Sequence, residues 1–304
     1  MIMKTSNRLV IGKTGAGGFT LVELGVVIAT LAIMVAVLLP ALAGTRPNAQ
    51  AFQCLENQRQ LILAWQMYAQ DNSDLLPPND FPWKTQESRN GTEKNWVFGS
   101  MLVPLDMIST AVLVNPQLSL LALYNTNPAT YRCPADIAVV QNKVRARSVS
   151  MNCAVGTRWY MAGLGSPPGT PPPGVRVGDP VGGGWLSGFY ADPDPNYRTY
   201  GKITQMTKPG PSMTWVIMDE NPLTINDACM QMSMAQILVD FPGNYHNGAA
   251  GISFADGHTE MHKWTDDFAQ TLPPSTIIGQ GVTINPVPPS HDLAWIQPRT
   301  SAPK

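Results

Sequence analysis

Residues 18–43 read GFTLVELGVVIATLAIMVAVLLPALA, and on this stretch the reading of the whole 304-residue chain turns. From Leu24 to Ala43 it holds twenty residues without a charge. As a helix rising ~1.5 Å per residue, that run would be about 30 Å long, the thickness of a bilayer's hydrocarbon core. Residues 1–18 carry Lys4, Arg8 and Lys13 and no acid, and such a basic flank biases a span to keep this end in the cytoplasm and export the rest. No Ala-x-Ala-like site follows the apolar run, which disfavours an ordinary secretory signal. Glu23 fits a plain anchor poorly. A carboxylate costs ~2.5–3.5 kcal/mol at the centre of a membrane helix, less towards an end, and it persists where something pairs with it. The plain alternative is an interfacial carboxylate reaching headgroups.

The residues Gly18-Phe19-Thr20-Leu21-Val22-Glu23-Leu24 resemble the cleavage and methylation motif of type IV pilins and type II secretion pseudopilins. The resemblance implies cutting between Gly18 and Phe19 by a prepilin peptidase/methyltransferase, then N-methylation of Phe19. It places Glu23 as the family's acid and Pro40 as its helix-kinking proline. The role of Glu23 would follow: a carboxylate from one subunit neutralises the Phe19 amine of the next, where an unpaired charge is costly. One buried polar pair of this kind sets register between helices. The implied partners are other pilin-like subunits and inner-membrane lipid. The implied location is the inner (cytoplasmic) membrane, with the C-terminal head exported and a periplasmic or extracellular filament after assembly.

Beyond a break at Thr45-Arg46-Pro47-Asn48, helical periodicity resumes through Cys54, Leu55, Leu61, Ile62, Trp65, Tyr68 and Ala69. It stops at Asp71-Asn72-Ser73 before Pro77-Pro78. The expectation is one helix over about 20–71, bent near 40–48. Strands are expected at 96–102, 148–155, 214–218 and 252–254, with a short helix near 117–124. The segment 166–184, SPPGTPPPGVRVGDPVGGG, reads as a surface insertion, and the Pro-rich tail from 272 as irregular.

Three further segments are similar to a large group of prepilin-type proteins. His246, nine residues, then Asp256-Gly257 match its H-X9-DG motif; Cys133-Pro134-Ala135-Asp136 matches a Cys-Pro-x-Asp segment; and residues 54–72 of the helix are likewise similar. The resemblance supplies no chemistry for the H-X9-DG motif. Physically, Asp256-Gly257 reads as a type I′ hairpin turn after an apolar strand.

Composition narrows the alternatives. Charged residues make up 13% of the chain, against ~25% in average globular proteins. The net charge of −1 falls to about −4 without the basic leader, leaving 17 basic and 21 acidic residues, so nucleic acid is not an expected partner. Cys54, Cys133, Cys153 and Cys229 include no CxxC pair, which argues against a zinc ribbon or a thioredoxin-type motif. In an exported domain they are disulfide candidates, Cys54 with Cys133 first and Cys153 with Cys229 by elimination. Asp192, Asp194 and Asn196 alternate at calcium-loop spacing, but prolines intervene and neither the loop glycine nor a closing Glu is present. A solvated turn is the favoured reading there, with calcium as the alternative, and no cofactor is expected. Asp219, Glu220, His246, Asp256 and His258 read as a satisfied polar cluster at strand ends, with a mixed N/O metal site as the alternative. No serine has a GxSxG setting, so no catalytic residue is expected and the chain is read as a non-enzyme.

The resulting fold class is α+β, a long bent N-terminal helix packed on an antiparallel sheet, as in pilins. The parts are a leader at 1–18, a membrane or filament-core half-helix at 19–43, a second half at 44–73, a head at 74–271 and a tail at 272–304. The function expected is that of a filament subunit of a type IV pilus or type II secretion pseudopilus. The rival reading is a bitopic anchor carrying an exported binding or metal-dependent hydrolytic domain that does not polymerise.

Overall fold

The computed structural model describes residues 20–79, 94–158, 176, 178–266 and 290–304, with backbone alone for 36–47. Gly18, Phe19, the 1–18 leader, most of the 166–184 insertion and 272–289 of the tail lie outside the described residues, as does the Pro40 side chain. The chain divides into two compact units, Met1–Arg46 and Pro47–Lys304.

Helix α1 is assigned over Leu21–Asp71. Its start is a reciprocal cap. Thr20 Oγ1 accepts the Glu23 N–H at 3.2 Å, while Glu23 Oε2 accepts the Thr20 N–H at 2.8 Å and its hydroxyl at 2.9 Å. Two of the helix's orphan donors are thereby satisfied. In the first unit the described large apolar side chains of α1 stay in the open, from Leu21 at 89% to Val35 at 53% exposed.

Within the second unit, α1 buries one face. Cys54, Leu61, Ile62, Ala64, Trp65 and Ala69 are covered, with Asn57 and Gln58 among them. The helix ends where the Asn72 side chain donates to the Tyr68 carbonyl at 2.8 Å and the chain turns through Ser73 (φ 56°) and Asp74 (φ 69°). The Asp74 N–H then closes on Ala69 O at 2.8 Å.

The rest of the head is one sheet with short helices around it. After α2 (Pro104–Met107) and α3 (Thr110–Leu113) comes a small ribbon, β1 (Val139–Val140) and β2 (Lys143–Val144). The main sheet comprises β3 (Val149–Asn152), β4 (Trp215–Asp219), β5 (Cys229–Met230), β6 (Ala249–Phe254) and β7 (Thr259–Lys263), in the order β5-β3-β4-β6-β7. Every residue of β3 to β6 is buried, while β7 forms a half-exposed edge. Leu61, Ile62 and Trp65 of α1 pack with Val149, Met151, Val216 and Ile217 on one face. On the other, Trp215, Met218, Ile252 and Phe254 meet Leu293 and Ile296 of α4 (His291–Thr300). Val216 and Ile217, though adjacent, share the α1 face, because the β4–β6 register slips between Trp215 and Ile217.

The structure corrects the pilin-like fold class. No helix among the described residues is long and apolar enough to cross a membrane. The transmembrane assignment, the inner-membrane location with an exported head, and the bitopic anchor of the rival reading are overturned by that finding. The helical assignment of α1, Leu21–Asp71, runs through Pro40 and Pro47, in line with one helix over about 20–71; a proline removes one hydrogen bond, which flanking turns can absorb. The sheet is mixed rather than antiparallel, with β5 running parallel to β3. Apart from α1, the α-helices of the described head have only four to ten residues.

Local expectations change too. Residues 96–102 form no strand: Gly99 takes φ +113°, and Trp96 and Met101 spend their N–H groups on Pro78 and Asn226 carbonyls rather than on a ladder. The tail is not irregular throughout. Ser290 caps α4 by accepting the Leu293 N–H at 3.1 Å, and Leu293 and Ile296 bury one face.

Candidate functional site

The H-X9-DG segment is strand β6 with its two flanks, and it lies along α1. Gln58 Nε2 donates to Gly251 O at 3.2 Å and Gln66 Nε2 to Ala255 O at 3.0 Å. Eight helical residues advance about 12 Å and four strand residues about 13 Å, so the two elements stay in step. Gly251 makes the approach possible: a Cβ there would stand 2.8 Å from Cys54 Sγ.

At the far end, Gly257 adopts φ +96° beneath the Gln66 amide, and Asp256 Oδ1 accepts the His258 N–H at 3.1 Å. The Phe254 N–H bonds to His258 O at 3.0 Å, leaving a three-residue loop in which only glycine has positive φ. This replaces the expected type I′ turn, because the Asp256 carboxylate closes an Asx turn that needs no left-handed aspartate.

At the near end the motif histidine joins a buried group of donors. Cys54 of α1, Cys133 of the loop after the 3-10 turn Pro128–Tyr131, Asp219 at the end of β4, and His246 before β6 bring one ligand atom each to within 4.8 Å of all the others. Cys54 Sγ donates to Asp219 Oδ2 at 3.0 Å, and Cys133 Sγ lies 3.1 Å from His246 Nε2. The surroundings hold these groups in place. The Gly251 N–H donates to the same Asp219 oxygen at 2.9 Å, and the Cys133 N–H to Ser148 Oγ at 2.7 Å. Asp219 Oδ1 is buried with no hydrogen-bond partner among the described residues. Burial shifts every member towards its neutral form: it pushes the Asp219 carboxyl up to about 6, raises the Cys133 thiol and lowers His246. The Cys54 thiol is raised first by its Cys133 neighbour and then by burial. Two sulfurs, an imidazole and a carboxylate so placed can share one cation, or the sulfurs can be oxidised to a disulfide.

Beside this group runs a buried charge network. Arg145 Nε donates to Asp136 Oδ2 at 2.5 Å, with both side chains fully covered. Its Nη2 donates to the Tyr245 hydroxyl, which donates in turn to the Glu220 carbonyl at 2.5 Å. Arg147 spends its guanidinium on the carbonyls of Val149, Gly99 and Asp227. Burial raises the carboxyls of Glu220 to about 8 and of Asp227 to about 7.

Of the residues singled out in the sequence, the structure gathers some and separates others. His246 and Asp219 join the group, while Asp256 and His258 pair with each other at the opposite end of β6, 2.6 Å apart. All four cysteines are buried free thiols. Cys54 neighbours Cys133, and Cys153 and Cys229 share an apolar pocket with Ala154 and Leu186, but neither pair is bonded. The calcium-like loop spends its oxygens elsewhere. Asp194 accepts from Ser187 N and Oγ and from Asn196 and Tyr197 N–H groups, the Asn196 side chain donates to Ser187, and Asp192 pairs with Arg158. Sequence reading kept the cysteines apart from the histidine and aspartate, since the cluster joins residues up to 165 and 192 positions from Cys54. The signal that could have united them was the set of three resembling segments, each of which carries one donor.

Compared with models of known protein families, with curated proteins and with solved structures, the chain matches none.

Proposed function

We propose that this chain is a structural subunit of a filament of the type IV pilus or type II secretion pseudopilus kind, processed after Gly18 and assembled by packing of its N-terminal helices. The observation that carries the reading is the state of α1 in the first unit. Ten large apolar side chains between Leu21 and Val35 stand 45–89% exposed, on every side of the helix. A helix apolar all round belongs inside an apolar environment, and an exposed patch of this extent marks an association surface. Other copies of the same helix supply such an environment along a filament axis. Within the second unit, Phe52, Leu63 and Met67 are exposed on the face of α1 turned away from the sheet. The 18–24 motif assigns the copies their register through Glu23 and the amine of a neighbouring Phe19.

Glu23 also has a local role as partner of Thr20, which lowers its pKa through the Thr20 N–H. Glu23→Gln separates the two roles, because glutamine serves a capping box as glutamate does but carries no charge. The expected result is loss or disorder of filaments, with helicity and head melting unchanged. Filaments of normal number and order in Glu23→Gln would overturn the register role. Intact-mass analysis of the native protein accompanies it, with a chain beginning at N-methylated Phe19 as the expected result.

A further inference from the structure

We propose that Cys54, Cys133, Asp219 and His246 form a zinc site that fastens α1 to the head. A tetrahedral zinc ion has Zn–S distances of about 2.3 Å and Zn–N and Zn–O distances of about 2.0–2.2 Å, so its ligand atoms stand roughly 3.3–3.8 Å from one another. The four donors here already lie within 4.8 Å of one another, with two of the six separations at 3.0 and 3.1 Å. Small side-chain rotations suffice to open the group around an ion. Four protein donors complete a tetrahedron, and three of them are 1% exposed or less, which is the closed shell of a structural site rather than a hydrolytic one.

Two features of the group point to a cation. Asp219 is fully buried, and its Oδ1 meets no donor among the described residues, a cost a metal-bound carboxylate avoids. The supports outside the group are those a metal site uses: the Gly251 N–H orients the ligating carboxylate and the Ser148 hydroxyl fixes the loop of Cys133. The donor set of two thiolates, one imidazole and one carboxylate suits zinc over calcium or magnesium, which take oxygen alone. Binding is balanced by proton release. Two thiols lose their protons as two Zn–S bonds form, neutral imidazole gives a lone pair, and the carboxylate enters ionised.

The site also gives the H-X9-DG and Cys-Pro-x-Asp segments a shared purpose. Each brings one donor to Cys54 on the helix, and β4 brings the fourth. The inference concerns the head alone and stands whether or not the chain forms filaments.

The test uses the full chain, purified under reducing conditions and stripped with a chelator, then titrated with Zn2+ against a chromophoric competitor and, separately, with Co2+. The expected result is one ion per chain, thiolate-to-cobalt charge transfer with the d–d bands of a tetrahedral site, and a melting temperature raised by metal. Cys54→Ser and His246→Ala should each weaken binding by more than the ~10–100-fold typical of outer-shell changes, while Cys153→Ser leaves it unchanged. His246 is only partly buried, so its variant is the one expected to keep the fold, with circular dichroism as the check. Absence of zinc uptake and of a cobalt spectrum in the folded, reduced chain would overturn the proposal. So would a native Cys54–Cys133 disulfide whose reduction yields thiols that bind no metal.

Discussion

Helix α1 is one run of backbone with two kinds of environment. From Cys54 to Ala69 its apolar residues fall on one stripe and are covered by β3, β4 and the turn after β6, while Phe52, Leu63 and Met67 remain outside. From Leu21 to Val35 the apolar residues have no stripe, and all of the large ones are exposed. Periodicity separates the two. A helix with one apolar face can satisfy it within its own chain, whereas a helix apolar on every side needs more surroundings than one head supplies. Under the proposed function the first region along the chain, Leu21–Val35, is read as belonging to the assembly and the second, Cys54–Ala69, to the subunit.

The largest expected effect tests that division directly. Trp65 is fully buried against the sheet, and Trp65→Ala should destabilise the head by about 3–5 kcal/mol, measured by denaturant unfolding. Ile28→Ser, in the other region, should leave the same transition within about 0.5 kcal/mol while weakening self-association. If Ile28→Ser lowered head stability as Trp65→Ala does, the two regions would not be independent and the comparison would fail.

A smaller effect sharpens how the second region is held. Gly257→Ala places a Cβ at φ +96° and 3.2 Å from the Gln66 amide, so that amide must give by a few tenths of an ångström. A loss of about 1–2 kcal/mol is expected, as for an L-residue forced to positive φ. Gln66→Ala should then make the alanine less costly, and strict additivity in that double-mutant cycle would deny the contact.

The smallest concerns pH. Asp227 has its carboxyl raised by burial from 3.8 to about 7 in the folded head, so the folded state holds that proton longer than the unfolded chain does. Its contribution is therefore full below about pH 4 and is lost as pH rises through about 7. Between pH 5 and 7, with chelator present, the head should lose stability through this group. Asp227→Asn keeps an oxygen for the Cys229 N–H, 2.6 Å away, and should flatten that slope. A slope unchanged by the substitution would assign the pH dependence to Asp219, Glu220 and Asp240, which burial shifts in the same direction.

How much could be read beforehand depends on where each signal resides. Strands β4 and β6 were legible as short, largely apolar runs, because full burial selects such side chains, while β3 alternates apolar and polar residues as Val149-Ser150-Met151-Asn152. Residues 96–102 carry a similar row yet are not a strand, since Gly99 at positive φ and hydrogen bonds to Pro78 and Asn226 take the backbone out of any ladder. The parallel placement of β5 beside β3 was not legible, because two buried residues, Cys229 and Met230, record no direction. A calcium loop was conceivable from spacing, but only the fold turns the Asp194 oxygens onto its own backbone.

Local chemistry determined what the sequence alone could say: the apolar run beginning at Leu24, the acid at its head, the stripe from Cys54 to Ala69, and the glycine that Asp256 needs beside it. These depend on neighbours a few positions apart, and periodicity or turn geometry records them directly. Tertiary structure alone decided that Cys54, Cys133, Asp219 and His246 share one buried point. Each comes from a different element, and only packing β6 in step with α1 brings a histidine 192 positions away to the helix's cysteine.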